Sequence, residues 1–90
     1  GGSFVTSNRE SGDGRYDIQL RPAKKGLPGI LIELKAAKEC NEAKLKKLSE
    51  TALRQIDDKN YDAEMTAAGV ETIYKYGVAF SGKRVEIAVG

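Results

Sequence analysis

Residues 29–38, GILIELKAAK, place a glutamate and a lysine inside an otherwise apolar segment. The segment is rich in β-branched and aliphatic residues, which favours a buried strand. Successive side chains of a strand point to opposite faces of its sheet. Three aliphatic side chains therefore share one face, whereas Leu31, Glu33 and Lys35 share the other. Glu33 and Lys35 are thus expected to point in the same direction.

A second strand is predicted directly upstream, over RYDIQLRP at residues 15–22, where apolar and polar side chains alternate. If the two strands form an antiparallel hairpin folded about Lys25, Asp17 lies opposite Glu33 and Arg15 lies opposite Lys35. Directly opposed side chains in such a pair have Cβ atoms roughly 4.5–5.5 Å apart. Two carboxylates at that separation repel each other, so the arrangement destabilises a sheet that has no use for them.

A divalent cation would turn this repulsion into a binding site, because Mg²⁺ takes oxygen ligands, commonly one or two carboxylates together with water. A metal held by Asp17 and Glu33 can polarise a phosphodiester, and Lys35 beside it can stabilise developing negative charge. The alternative is a solvated strand face on which Glu33 and Lys35 pair, with Asp17 balancing an arginine. The spacing by itself does not decide between the two.

The remaining elements follow from changes in period. Apolar residues at steps of three and four predict an amphipathic helix from about Asn41 to Lys59, with Gln55 on the flank of its apolar stripe. A short helix over residues 61–69 should end at Gly69. Two strands, at 72–80 and 84–89, are joined by a glycine hairpin. With a β-prone start at residue 4, this order predicts a mixed sheet covered by helices, an α/β (α+β) fold.

Composition limits the class of protein. Ninety residues, 40% of them hydrophobic, suffice for one domain over residues 4–90, with residues 1–3 as a cloning scar or linker. The formal charge of +2 argues against a polybasic tail. No apolar stretch approaches the roughly 20 residues of a membrane span, so we expect a soluble, cytoplasmic protein. One cysteine and no histidine exclude an internal disulfide, the common zinc sites and histidine-based triads.

Four segments carry a resemblance to a known family: SNRESGDGRYDIQLRP (7–22), GILIELKAAK (29–38), ALRQIDDKNY (52–61) and YKYGVAFSGKRVEI (74–87). Together they resemble the PD-(D/E)XK nuclease superfamily. More narrowly, they resemble the nuclease-like domain that follows an AAA-type ATPase-like module in many bacterial proteins of unknown function. The resemblance extends from about Val5 to Val89 and implies a restriction-endonuclease-like fold.

The resemblance also implies an activity, the hydrolysis of phosphodiester bonds with Mg²⁺ or Mn²⁺. The family places its aspartate on one strand and its E-x-K motif on the next, which Asp17, Glu33 and Lys35 match. A glutamine on the following helix matches Gln55. These four residues are therefore the predicted catalytic residues.

The predicted metal ligands are Asp17, Glu33 and the backbone carbonyl of Leu34. Glu10 is a further candidate, because it stands near the place of an acidic residue that the family often carries on its first helix. The alternative for Glu10 is a loop carboxylate in a turn.

Nucleic acid, DNA in the first place, is the predicted partner. Arg9 and Arg15 are candidates for phosphate contacts beside the site, since such contacts position a duplex without reading its sequence. Tyr61 is a candidate for contact with a base. The alternatives are arginines that pair with acids on a strand face and a tyrosine that packs at a helix end.

One feature of the family is missing. Its core usually begins with a helix before the first strand, and this chain starts too late to contain one. The chain is therefore expected to be a fragment of a longer protein, with an ATPase-like domain in the parent chain, or to complete its core as a homodimer. Two other functions stay open: a nuclease fold that no longer cuts but binds nucleic acid or a protein beside an ATPase, and a structural dimerisation domain.

Overall fold

The structure is a computed structural model that describes residues 4–10 and 15–90, except for the side chains of Ser7, Arg9 and Glu10. Seven elements follow one another along the chain. They are β1 (Phe4–Glu10), β2 (Arg15–Pro22), β3 (Gly29–Ala36), α1 (Glu42–Asp58), α2 (Tyr61–Ala67), β4 (Ile73–Ser81) and β5 (Arg84–Val89).

The strands form one five-stranded sheet in the order β1-β2-β3-β4-β5. Strands β3 and β4 are parallel, and the other neighbouring pairs are antiparallel. Parallel neighbours need a long crossover connection, which here contains α1 and α2. The predicted fold class, a mixed sheet with helices of the restriction-endonuclease-like kind, is confirmed.

The β2–β3 hairpin has the predicted register. Asp17 lies opposite Glu33, and Arg15 lies opposite Lys35. Because the side-chain period of a strand is two, a slip by one residue would move Glu33 to the opposite face of the sheet. The register therefore places both carboxylates on the same face.

Helix α1 begins and ends close to its predicted bounds. The Asn41 side chain caps it by accepting a hydrogen bond from the Lys44 amide at 2.9 Å. Its buried face is made of residues spaced by three and four, namely Leu45, Ser49, Ala52 and Ile56. The helix packs across β3, β4 and β5. Lys59, predicted as the last helical residue, is its C-cap.

A sharp corner joins α1 to α2. Asn60, between the two helices, has a left-handed backbone with φ of 55°, a conformation that asparagine tolerates better than most residues. Helix α2 then begins at Tyr61 and ends at Ala67, and Gly69 follows with φ of 94°. Gly69 is thus the predicted stop just beyond the helix.

Both helices pack on the same face of the sheet. Leu31, on the same face of β3 as Glu33, joins Ile56 of α1 and Met65 of α2 in the buried core. Gly29, at the start of β3, lies against the Met65 side chain. The expectation that helices cover the sheet therefore holds for one face, as far as residues 4–10 and 15–90 are concerned.

The other face of the sheet is apolar and open. It presents large hydrophobic side chains whose exposed fractions run from 36% to 67%: Phe4, Tyr16, Tyr74, Val85, Ile87 and Val89. We refer to these six residues as the open face. In the part of the chain that the structure describes, no helix is long and apolar enough to cross a membrane.

Candidate metal and catalytic site

Two buried carboxylates form the centre of the site. Asp17 of β2 is 5% exposed and Glu33 of β3 is 0% exposed, and they are direct cross-strand partners on the helix-covered face. Buried carboxylates are uncommon unless they are paired with cations or bind a metal. This pair is the one that the hairpin register predicted.

An ammonium group lies between the two carboxylates. Nζ of Lys59 is 3.1 Å from both carboxylate oxygens of Asp17. It is 3.0 and 3.4 Å from the two oxygens of Glu33. Lys59 reaches this position from the C-cap of α1, so the helix ends directly beside the carboxylates.

Two further side chains complete the cluster. The Tyr61 hydroxyl, from the first residue of α2, donates a hydrogen bond to Oδ2 of Asp17 at 3.0 Å. A guanidinium nitrogen of Arg15 donates to Oε1 of Glu33 at 3.3 Å. The α1–α2 corner therefore supplies both Lys59 and Tyr61 to the carboxylates, from either side of Asn60.

The pKa values of the two carboxyl groups are shifted in opposite directions. Burial raises the pKa of Glu33, and the neighbouring Asp17 raises it further. Burial acts in the same direction on Asp17, but hydrogen bonds with the Glu33 carboxyl and the Lys59 ammonium outweigh it. Together with the Tyr61 hydrogen bond they hold the pKa of Asp17 below its ordinary value. Asp17 is therefore the more strongly ionised partner.

The cation and the phenol respond to the same carboxylates. Burial lowers the pKa of Lys59, but hydrogen bonds with Glu33 and Asp17 outweigh burial and raise it overall. Burial raises the pKa of Tyr61, and its hydrogen bond to Asp17 adds to the effect. Lys59 is accordingly charged and Tyr61 neutral at physiological pH.

Gln55, one of the predicted catalytic residues, has a buried atom without a hydrogen-bond partner among the described residues. It lies one helical turn before Lys59, so the two side chains project from the same side of α1. Its Oε1 is buried and has no hydrogen-bond partner among the described residues, as is also true of Nε of Arg15. An unpaired buried acceptor, one helical turn before Lys59, is what an absent polar ligand would leave.

The remaining predicted residues are placed as follows. Lys35 is half-buried on the same face of β3 as Glu33, two positions further along the strand, and it lies opposite Arg15. Leu34 lies between Glu33 and Lys35. Arg9 pairs with Asp17 in the sheet, and Glu10 pairs with Tyr16. Glu10 therefore ends a strand and does not sit in a loop. The side chains of Arg9 and Glu10 lie outside the described part of the structure, so their predicted roles stay predictions.

Sequence reasoning gave no role to Lys59. The available signal was its spacing of four from Gln55, which puts the two residues on the same flank of the predicted helix. The sequence did not show where that flank of the helix lies relative to the sheet. The contact joins residues 42 positions apart in the chain, Lys59 and Asp17.

The chemistry of the donors fits a hard divalent cation. Two carboxylates already share one cationic group, and Mg²⁺ sites often use one or two protein carboxylates with water in the remaining positions. The unpaired Oε1 of Gln55 is a further buried polar atom, on the helical turn before Lys59. Among the described side chains, no group of three or more His, Cys, Asp or Glu residues could hold a metal. The protein carboxylates that the described residues offer to a metal here are Asp17 and Glu33.

Comparison with known proteins identifies a family for the chain. A family model of the PD-(D/E)XK nuclease superfamily matches residues 1–89. Searches of curated proteins and of solved structures found no match to the chain. The family match covers nearly the whole chain. The chain therefore belongs to the PD-(D/E)XK nuclease superfamily.

Proposed function

We propose that the chain is a metal-dependent nuclease domain that hydrolyses phosphodiester bonds of nucleic acid, with DNA as the preferred substrate. One observation carries the proposal beyond family membership: Asp17 and Glu33 are buried, directly opposed and arranged around a single cationic group. A fold without a use for this pair would have no reason to bury two adjacent carboxylates.

Asp17 and Glu33 are the proposed ligands of Mg²⁺ or Mn²⁺, together with the backbone carbonyl of Leu34. Glu10 stays a prediction, and its pairing with Tyr16 of the open face does not favour it as a ligand of the same metal. When bound, the metal would supply a Lewis acid that polarises the scissile phosphodiester. Arg15 and Tyr61 donate hydrogen bonds to these two carboxylates, so they orient the ligands.

Lys35 and Gln55 are the proposed catalytic partners of the carboxylates. The Lys35 ammonium, on the same face as Glu33, stabilises negative charge that develops on the phosphate. The unpaired Oε1 of Gln55 accepts a hydrogen bond and so orients the attacking water. Contacts of Arg9, Arg15 and Tyr61 with nucleic acid stay predictions.

A second function is supported by a specific observation. Lys59 and Arg15 already compensate the charge of Glu33, and Lys59 and Tyr61 already satisfy Asp17. In such a cluster the charges of both carboxylates are compensated without a metal. A nuclease fold that no longer cuts, and instead binds nucleic acid or a protein partner, is therefore the alternative.

Calorimetric titration with Mn²⁺ and plasmid cleavage with Mg²⁺ test the proposal. We expect Asp17→Asn to abolish both metal binding and cleavage, because it removes one charged ligand. Lys35→Met should keep the metal and lose cleavage. The matched control is Asp62→Asn, an aspartate on α2 paired with Lys75 outside the site. If wild-type protein binds no Mn²⁺ at millimolar concentration, the alternative is favoured, a nuclease fold that no longer cuts and instead binds nucleic acid or a protein.

The wider context of the domain is proposed from the resemblance. An ATPase-like domain in the parent chain and a cytoplasmic location stay predictions. For a homodimer, the open face is the supporting feature, because its six residues are all uncharged and partly exposed. A second copy of the chain, packed sheet against sheet, is the proposed cover for it.

A further inference from the structure

Lys59 occupies the point on which the two carboxylates converge. Its ammonium lies within hydrogen-bonding distance of all four oxygens of Asp17 and Glu33, at 3.0 to 3.4 Å. A cation liganded by both carboxylates would have to approach the same oxygens. The ammonium and a divalent ion therefore compete for one position.

We propose that Lys59 is a built-in competitor for the metal: its ammonium compensates the two carboxylates in the metal-free protein and leaves them when a divalent cation binds. This inference rests on the proposed metal site. In this proposal Lys59 determines how tightly the metal binds, a role separate from those of Lys35 and Gln55.

The electrostatics of the cluster favour exchange over coexistence. Two buried carboxylates without a counter-charge would be strongly destabilising, so the metal-free protein needs a cation there. Once a divalent ion supplies that charge, an ammonium held at the same oxygens would be repelled by a like charge a few ångströms away. The carboxylates then pair with the divalent ion instead of with Lys59, and the released ammonium is hydrated by solvent.

The location of Lys59 permits this movement. Its side chain is 28% exposed, whereas those of its two partners are 6% and 0% exposed. It extends from the C-cap of α1 on a flexible four-carbon stem, so rotation about its side-chain bonds can carry the ammonium to solvent without moving the helix. The C-terminal end of a helix also favours a nearby cation, which keeps a displaced ammonium close to the site.

The chain offers a matched control. Lys75 of β4 also bridges two carboxylates, with Nζ 2.6 Å from Asp57 and 3.0 Å from Asp62. Its side chain is 21% exposed, similar to that of Lys59. The carboxylates of this second bridge are 59% and 36% exposed, so it lacks the buried pair of the proposed site.

Calorimetric titration of Lys59→Met with Mn²⁺ tests the competition. Removal of the competing ammonium should tighten Mn²⁺ binding about tenfold or more relative to wild type, in the usual range of coupling between two ligands. Lys75→Met should bind Mn²⁺ as wild type does. The Mn²⁺-induced rise in melting temperature should likewise be larger in Lys59→Met than in either of the other two proteins.

The outcomes separate the two proposals. If wild type binds Mn²⁺ and Lys59→Met binds it equally or more weakly, Lys59 does not compete and the inference is overturned, while the metal site stands. If neither protein binds Mn²⁺ at millimolar concentration, the metal-dependent function itself is wrong and the competitor falls with it.

Wild-type protein provides a second test that needs no variant to fold. Brief acetylation with an amine-reactive ester, read by mass spectrometry, reports how accessible each lysine is. We expect saturating Mn²⁺ to raise the labelling of Lys59 severalfold and to leave that of Lys75 unchanged. Unchanged labelling of Lys59, under conditions where calorimetry shows the metal bound, would overturn the inference.

Discussion

Gly77 of β4 lies directly against the backbone of Ser49 in α1. A Cβ atom at Gly77 would overlap the Ser49 carbonyl oxygen and lie 2.5 Å from the Leu53 amide nitrogen. Gly77 is also the partner of Glu33 in the parallel β3–β4 pair. Helix α1 therefore crosses closest to the sheet beside Glu33. This close contact sets the distance between the C-terminal end of α1 and the two carboxylates.

Gly77→Ala is expected to destabilise the fold. The added methyl group meets backbone atoms that cannot rotate away, and such overpacking costs about 1–3 kcal/mol. Urea denaturation measures the loss. Gly90→Ala is the control, because its Cβ would meet side-chain atoms of Leu53, which can move. A Gly77→Ala protein as stable as wild type would show that α1 does not approach β4 this closely.

The Tyr61 hydroxyl is expected to stabilise the fold in a pH-dependent manner. Loss of its hydrogen bond to buried Asp17 in Tyr61→Phe should cost about 1–2 kcal/mol at pH 7. Although burial acts to raise the pKa of Asp17, its hydrogen bonds hold that pKa below the ordinary value. A lowered carboxyl pKa stabilises the folded state above the unfolded pKa, and this contribution is lost as pH falls through the folded pKa.

The difference between wild type and Tyr61→Phe in free energy of unfolding should therefore be full at neutral pH and should shrink in acid. Urea denaturation at a series of pH values between neutral and acid measures it. Tyr74→Phe is the control, since Tyr74 is 46% exposed on the open face. A difference that stays constant from pH 7 into acid would contradict the assigned hydrogen bond.

Much of the site could be predicted because it lies within one hairpin. Alternation over residues 15–22 and 29–36 predicted two neighbouring strands, and a hairpin folded about Lys25 then placed Asp17 opposite Glu33, the register that the structure has. The period of three and four likewise located α1. The position of Lys59 could not be predicted, because it depends on how α1 crosses the sheet at Gly77, a contact between distant parts of the chain.

Gln55 is expected to matter for cleavage and not for stability. Its Oε1 is buried without a partner among the described residues, so Gln55→Met removes an uncompensated polar atom and keeps a similar shape. The free energy of unfolding should stay the same or rise. Mg²⁺-dependent plasmid cleavage should fall about 10–100-fold, as when a polar group that orients a metal site is lost.

Glu50→Met, an exposed position on the same helix, is the control for Gln55→Met and should leave cleavage unchanged. The two assays together decide the role of Gln55. A Gln55→Met protein that is destabilised and cuts as wild type does would make Gln55 a structural amide at the helix–sheet boundary.

The open face is expected to drive self-association. Its hydrophobic side chains gain roughly 25 cal/mol for each Å² of apolar surface removed from water, so contact with a second copy is favourable. A charge placed within such a contact would be desolvated without a partner. Wild type should sediment as a concentration-dependent dimer, and Ile87→Lys should be monomeric.

Val5→Lys is the control for Ile87→Lys, because it places a charge at an exposed apolar residue that does not belong to the open face. Val5 is 53% exposed and Ile87 is 58% exposed, but Val5 lies opposite Arg21 on the helix-covered side of the sheet. Both lysines replace exposed side chains, so at protein concentrations where wild type is monomeric neither should change the free energy of unfolding by more than about 0.5 kcal/mol. If both variants dissociate the dimer, or if wild type is monomeric at every concentration, the open face is not the contact between copies.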